Sequence, residues 1–396
     1  MSFSRPEVIS LGCRLNIAES DAIGAMLVGD VVVVNSCAVT GEAVKQTRAA
    51  VRRAARARPG AELIVTGCAA TIDRDTFAAM PEVSRVVPNA AKLLPGSWGA
   101  SSSVAMPPPR HARAFVPVQN GCDHACTFCV IPQGRGPSRS APVADVVRRV
   151  AALVEAGHRE VVLTGVDLTS YGPDLAGAPT LGDLCERILA DVPALPRLRL
   201  SSLDSVEIDP ALLALLASEP RMMPHVHLSL QAGSDLTLKR MKRRHGRRDA
   251  IDLVARLKAR RPATAIGADL IAGFPTETEA MFADTLALLD DCDIVHAHIF
   301  PYSPRHGTPA ARMPQVTPEV RRARAARLRE AAAARKARWL RSLVRTTQEV
   351  LLEKPGDRGH AGNFAEVRLP EPARVGQVVR VDVTGAADTH LTGVPA

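Results

Sequence analysis

The chain has 396 residues, 46% apolar and 23% charged, a balance that excludes global disorder. Its 50 Lys and Arg against 41 Asp and Glu give a net charge of +9, which permits a polyanionic partner, and with only 3% aromatics arginine rather than stacking would hold it. No apolar run approaches the roughly 18 residues of a membrane span, and the first ten residues lack a signal peptide's apolar stretch. A cytoplasmic location without a membrane partner is therefore expected, and there the eight cysteines would serve as metal ligands, catalytic groups or core fillers rather than disulfides.

In chain order, Glu7–Ser10, Val31–Asn35 and Glu62–Thr66 read as short buried strands, with helices predicted at Ile17–Leu27 and Glu42–Arg58. This β-α-β-α-β order implies a small parallel sheet. Pro95–Pro109, with its serine run and triple proline, reads as a linker. A second alternation follows, with strands at Ala114–Gln119, Glu160–Thr164, Arg197–Ser201, His225–Leu230, Ala265–Ile271 and Ile294–Phe300. Helical patterns separate them at Val143–Ala156, Leu181–Ala190, Pro210–Ala217, Arg248–Arg260 and Glu277–Leu289. Six β/α repeats imply an incomplete barrel, with its chemistry where the strand C-termini meet the loops. After an Ala/Arg-rich helix at Arg321–Arg345, short strands at Gln348–Glu353, Ala365–Leu369, Val378–Val383 and Thr389–Gly393 suggest a small OB-like barrel. The expected class is α/β with three units: residues 1–100, 108–340 and 341–396.

The cysteines carry the chemistry. Cys122, Cys126 and Cys129 form a C-x₃-C-x₂-C run directly after the first strand of the six-fold repeat. Three soft thiolates in one loop select zinc or an iron–sulfur cluster, and they leave a coordination position open, unlike a closed structural zinc site. His124 sits inside the loop, either as a fourth ligand or as a residue that shapes it. Cys13, Cys37 and Cys68 each end a predicted strand, one β-α unit apart. Parallel strands with helical crossovers bring their C-terminal ends to one sheet edge, so these three thiols converge. Cys185 lies on an apolar helical face and Cys292 ends a helix, and both read as core thiols.

With these residues in view, the chain resembles the radical S-adenosylmethionine (SAM) methylthiotransferase family along essentially its whole length. The matching stretches are LGCRLNIAES (11–20), NSCAVT (35–40), TGCA (66–69), residues 121–140, LTGVDLTSYG (163–172), LSLQAGSDLTLKRM (228–241), DLIAGFPT (269–276) and HIFPYSPRHGT (298–308). Cys-Arg-Leu-Asn at 13–16 and Cys-Ala-Val-Thr at 37–40 resemble the branch that acts on N6-threonylcarbamoyladenosine in tRNA. The isopentenyladenosine branch usually carries Cys-Gln-Met-Asn there, and the ribosomal-protein branch Cys-Pro-Lys-Asn.

The resemblance implies a radical-SAM (β/α)6 barrel and a C-terminal TRAM domain. It implies that Cys122, Cys126 and Cys129 hold a [4Fe–4S] cluster that binds and cleaves SAM to a 5′-deoxyadenosyl radical. A second [4Fe–4S] cluster on Cys13, Cys37 and Cys68 would be associated with the delivered sulfur, and a methylthio group would replace hydrogen at adenine carbon-2. By position, the SAM contacts would be Thr164 and Gly165 after the second strand, Ser201 and Ser202 after the third, Gln231 after the fourth and Gly273 after the fifth, with Gly267 and Ile271 nearby. Partners would be tRNA, not DNA, and an electron donor of flavodoxin or ferredoxin type.

Three basic segments are candidate phosphate contacts: Lys45–Arg58, Lys239–Arg261 (Arg243 and Arg244 included) and Arg321–Arg345. The terminal unit, Thr346–Ala396, has five Lys/Arg against seven Asp/Glu, and Phe364 is its only aromatic, which argues against a strong RNA grip. Arg14 could pair with the carboxylate of a threonylcarbamoyl group, or brace its own loop or Glu19. Other readings keep the enzyme with isopentenyladenosine tRNA or a ribosomal protein as substrate. A non-catalytic iron–sulfur electron carrier or RNA-binding protein has no need of a six-strand barrel.

Overall fold

A computed structural model describes residues 5–100 and 111–396. The linker expected over Pro95–Pro109 falls largely outside these residues; within them, Pro95–Trp98 forms a short 3-10 turn. Among the described residues no helix is long and apolar enough to cross a membrane.

The first unit is a parallel sheet in sequential order, Glu7–Ser10, Val31–Ser36, Glu62–Gly67 and Arg85–Val86. The strands at 31–36 and 62–67 are buried on both faces, as their near-continuous valine and isoleucine runs require. Arg85–Val86 extends the sheet by two residues, too short to leave a periodic signal in the sequence. The first helix runs Arg14–Met26, starting three residues before the predicted boundary because Cys13 acts as its N-cap.

The second unit has six parallel strands in two sheets of three. Arg113–Pro117, Glu160–Thr164 and Leu198–Leu200 form one; His225–Gln231, Ala265–Ala272 and Ile294–Pro301 form the other. A parallel bridge between Leu203 and Leu228 links them. The expected strand Ala114–Gln119 is split: it ends at Pro117, and Gln119–Asn120 pairs antiparallel with Arg139–Ser140. Alternate residues of a strand face opposite ways. Ala114, Val116, Val161, Leu163, Val226, Leu228, Ile266 and Ala268 pack into the main core. Their neighbours Arg113, Glu160, Arg199, His225, His227, Asp269, His296 and His298 therefore make the barrel interior polar.

The third unit is a closed five-stranded barrel, Thr347–Glu353, Arg358–Ala361, Glu366–Arg368, Leu391–Pro395 and Val378–Ala386 in spatial order. Arg358–Ala361 was not foreseen, since its Arg-Gly-His-Ala sequence lacks strand character. The turn after it caps the base of the second unit. Phe364, at φ +68°, stacks on His225 with ring centroids 4.9 Å apart and on His360 at 4.6 Å. The guanidinium carbons of Arg113 and Arg199 lie 4.9 and 5.0 Å from the same ring. Asn363 O contacts His296 Nε2 at 3.2 Å, and Arg113 pairs with Glu353 at 2.7 Å.

Glu160 is buried beneath this joint and pairs with Arg199 at 2.7 Å and Arg197 at 3.3 Å. Removing one partner of a buried pair leaves uncompensated charge. Glu160→Ala should therefore cost roughly 3–5 kcal/mol, read as a lower denaturation midpoint. An unchanged midpoint would show that the two arginines are solvated there.

Candidate active site

The first thiol triad is set by backbone geometry. Gly12 adopts φ +101°, and an added Cβ there would lie 2.7 Å from Cys37 Cβ, so only glycine lets the loop carrying Cys13 close over Cys37. Cys37 follows the second strand and Cys68 opens the helix Cys68–Ile72. Asn16 ties the loops together, donating to Leu11 O at 2.6 Å and Ser36 O at 3.0 Å. Burial, with the neighbouring Cys13 and Cys68 thiols, raises the Cys37 thiol above its ordinary range. Cys13 and Cys68 both lie near enough to Cys37 to act on its thiol.

The second triad lies in the irregular loop between Asn120 and the helix Ile131–Arg135. Backbone N–H groups of His124 and Ile131 donate to Cys122 Sγ and Cys129 Sγ, each at 3.4 Å. Burial first, then the neighbouring thiols and Asp167, push Cys122 up to about 12, and Cys129 is pushed up to about 11. A thiol gives up its proton to bind a metal, and three sulfurs on one short loop supply the soft donors that an iron–sulfur cluster takes. The donor set thus fits a soft cluster at each triad.

His124 does shape the loop. Its Nε2 lies 2.7 Å from Asp167 Oδ2 and 3.8 Å from Glu207, and hydrogen bonds to these two carboxylates raise it to about 10. The loop is pinned from the opposite side by Thr127 N–H to Met241 O at 3.1 Å and Ala310 N–H to Thr127 O at 2.9 Å.

The two triads meet at Gly134-Arg135. A Cβ on Gly134 would stand 3.2 Å from Cys68 Cβ, so its absence sets the closeness of the two units. Asn89 Nδ2 donates to Gly134 O at 2.6 Å and lies 3.5 Å from Cys68 Sγ. Arg135 reaches Glu19 Oε1 at 2.9 Å, Asn16 Oδ1 at 2.5 Å and Asn120 Oδ1 at 2.9 Å. Lys92 closes the cluster on Glu19 at 2.5 Å, and Asn16, Glu19, Lys92 and Arg135 are all buried. The spacing of the sequence carried no signal for this joint, because its members lie 73 and 116 residues apart.

Each position marked by a strand end has its own burial and backbone setting. Thr164 is buried, and Gly165 has room for no side chain because Gln119 Oε1 would stand 2.9 Å from its Cβ. That same oxygen accepts from Val166 and Asp167 N–H at 2.9 and 2.8 Å, a role for Gln119 that sequence reasoning missed. Ser201 is buried with its hydroxyl unpartnered, which leaves a donor for a ligand, and Ser202 beside it is half-buried. Gln231 takes φ +67° at the end of its strand. Gly273 takes φ +74°, and its N–H donates to Glu277 Oε1 at 3.0 Å.

One expectation is corrected. Arg243 is not a solvated phosphate contact: its side chain is buried, pairs with Asp204 at 2.8 Å, donates to Ser229 O at 2.9 Å and approaches Cys126 Sγ at 3.7 Å. Against burial, His245 and Arg243 hold Asp204 down to about 2. Arg244 is engaged by Glu207. In the long helix Pro318–Ser342, Arg324 is buried on Glu277 and Arg335 is paired with Asp290 and Asp293. Helix Gly41–Ala57 differs, since Lys45, Arg53 and Arg56 are exposed and have no ion pair among the described residues.

The barrel interior opens beneath the triads. His227 Nε2 and His298 Nδ1 both contact Asp269 Oδ1, at 3.0 and 3.1 Å, and against its burial they hold that carboxyl well below the usual range. Arg14 enters the same space from the first helix. Burial, then the charges of Arg113 and Arg199, lower its guanidinium to about 10.

Comparison with known proteins agrees with this layout. Residues 116–289 match the Radical SAM superfamily, and residues 5–88 match the uncharacterized protein family UPF0004. The chain is 42% identical to threonylcarbamoyladenosine tRNA methylthiotransferase MtaB of Rickettsia prowazekii, across 98% of this chain and 96% of that one. It is 34% identical to the tRNA-2-methylthio-N(6)-dimethylallyladenosine synthase of Sorangium cellulosum, across 98% and 89%. Among solved structures, the radical SAM methyltransferase TsrM of Kitasatospora setae superposes with a TM-score of 0.56 at 15% identity, covering 78% of this chain and 75% of that one, a likeness of fold.

If each triad holds four irons, anaerobic reconstitution should give about eight irons per chain. Cys126→Ala should halve the iron and abolish SAM cleavage, whereas Cys37→Ala should halve it and leave cleavage measurable. Zinc without iron in anaerobically isolated protein would contradict both.

Proposed function

Since the chain belongs to the radical SAM methylthiotransferases, we propose that it adds a methylthio group to carbon-2 of N6-threonylcarbamoyladenosine next to the anticodon of tRNA. The observation that carries this reading is the meeting of two three-thiol sites across Gly134-Arg135, above an open polar barrel. A methylthio transfer needs both one-electron cleavage of SAM and a sulfur source within reach of the same carbon. The carbon-2 hydrogen is not acidic, so acid–base groups cannot remove it; when bound, SAM and the two [4Fe–4S] clusters supply the one-electron and sulfur chemistry.

The chain's own residues position these groups. Cys122, Cys126 and Cys129 would hold the SAM-side cluster, and Cys13, Cys37 and Cys68 the sulfur-side cluster. Arg243, fixed by Asp204, places a positive charge beside Cys126, where it steadies the negative charge of the thiolates. Thr164, Gly165, Ser201, Ser202, Gln231 and Gly273 would orient SAM on the rim, with the unpartnered Ser201 hydroxyl as the clearest donor. The labour divides over residues 1–100, 108–340 and 341–396: sulfur side, SAM side and a cap on the barrel base. A flavodoxin- or ferredoxin-type donor and a cytoplasmic setting complete the proposal.

The tRNA surface is assigned to helix Gly41–Ala57. Its N-terminus touches the barrel rim, where Gly41 N–H donates to Ser303 Oγ at 3.0 Å, and its exposed Lys45, Arg53 and Arg56 are available for phosphate. The terminal barrel is slightly acidic and its one aromatic is turned onto the barrel base, so RNA contact there is secondary.

Two results test this reading. Offered tRNA carrying either substituent, the reconstituted enzyme should methylthiolate threonylcarbamoyladenosine and leave isopentenyladenosine nearly untouched; the reverse preference would refute the substrate. Reversing Lys45, Arg53 and Arg56 to Glu should weaken tRNA binding and reduce the salt slope of log K by about 2–3. An unaltered slope would move the RNA surface elsewhere.

A further inference from the structure

Among the guanidiniums whose charges meet in the barrel interior, Arg14 alone has no carboxylate partner among the described residues. Arg113 is paired with Glu353 at 2.7 Å and Arg199 with Glu160 at 2.7 Å. Arg14 makes no hydrogen bond or ion pair among the described residues; its guanidinium carbon lies 5.7 Å from the centroid of the Phe364 ring. Glu19, the carboxylate nearest in sequence, is occupied by Lys92 and Arg135, so Arg14 does not brace its own helix.

Arg14 is largely buried, but the barrel interior beside it is reached by solvent at the last strand. On the last barrel strand, the inward-facing His298 side chain is 59% exposed and Phe300 is 37% exposed. Asp269 is already engaged by two imidazoles, and the three ligand atoms of His227, Asp269 and His298 lie within 4.8 Å of one another. A divalent cation there would face Arg14, with Arg113 and Arg199 behind it, whereas an anion would complete the unpaired guanidinium. The local charge selects an anion.

Position selects which anion. Arg14 directly follows Cys13, a thiol of the first triad. Carbon-2 and the carbon bearing N6 flank the same ring nitrogen, so a base presenting carbon-2 beside Cys13 brings its N6 substituent within reach of the neighbouring Arg14. The threonylcarbamoyl group ends in a carboxylate, which a guanidinium matches with two parallel hydrogen bonds. We propose that Arg14 binds this carboxylate and is the residue that separates threonylcarbamoyladenosine from adenosines with an uncharged N6 substituent. Phe364 stacks beneath Arg14 and orients it, so the subsite is built from all three units. The proposal rests on the substrate reading given above.

The test uses anticodon stem-loop RNAs whose adenosine carries the threonylcarbamoyl acid, its methyl ester or an isopentenyl group, titrated onto reconstituted holoenzyme. The wild type should bind the acid about 10- to 100-fold more tightly than the ester, the range of a charge-assisted pair. Arg14→Gln should bind acid and ester alike, near the wild-type ester affinity, with its iron content unchanged. Arg14→Lys should recover part of the acid preference. Equal wild-type binding of acid and ester would overturn the proposal without recourse to any variant, and so would an Arg14→Gln enzyme that keeps the full preference. A wild type that binds the isopentenyl RNA best would overturn the substrate reading, and is told apart by the rise of that third arm alone.

Discussion

Everything the molecule can do depends on holding two separately folded thiol sites against each other, and a small buried ion cluster does so. Glu19 and Lys92 belong to the first unit and Arg135 to the loop region of the second, and all three are almost fully buried. Two cations on one carboxylate would be costly in an apolar interior. Here Asn16 and Asn120 accept from Arg135 Nη2 and Nη1 beside Glu19, so both terminal nitrogens are satisfied by protein. Because Arg135 follows Gly134, which rests on Cys68, the same contact that joins the units also fixes the distance between the triads. An apolar patch of equal area would hold the units together without fixing that register.

The barrel interior follows a second logic. Outward-facing residues of its strands are apolar and pack the helices, while the inward-facing ones include arginine, histidine and carboxylate alongside Phe300. A barrel of six strands leaves a side opening and a base, and each is covered by another part of the chain. The first unit brings Arg14 into the opening; the terminal barrel places Phe364 against the base, among His225, His360 and two guanidiniums. The sole aromatic of the terminal barrel is thus used for assembly, which accounts for its poverty in RNA-binding features.

Much of this was legible in the sequence because it is local. Short valine runs, strand-end cysteines one β-α unit apart and the compact C-x₃-C-x₂-C loop each state their structure within a few dozen residues. The three unit types and both triads follow from them. What was not legible depends on contacts between distant segments. Arg243 sits in a basic run that reads as a solvated face, yet its partner Asp204 lies 39 residues away and draws it inside against Cys126. Gln119 and Arg135 have no motif character, and their roles appear only when the loops they bridge are assembled. The strand Arg358–Ala361 was hidden because barrel closure, not its composition, makes it a strand.

The central claim is that this chain methylthiolates carbon-2 of a threonylcarbamoyl-modified adenosine in tRNA. Nucleoside mass spectrometry on tRNA from cells with and without the protein tests it most directly. The account predicts that the 2-methylthio form of N6-threonylcarbamoyladenosine disappears without the protein, while the unmethylthiolated nucleoside rises and 2-methylthio-isopentenyladenosine is unchanged. Loss of the isopentenyl form instead, or no change in either, would contradict it.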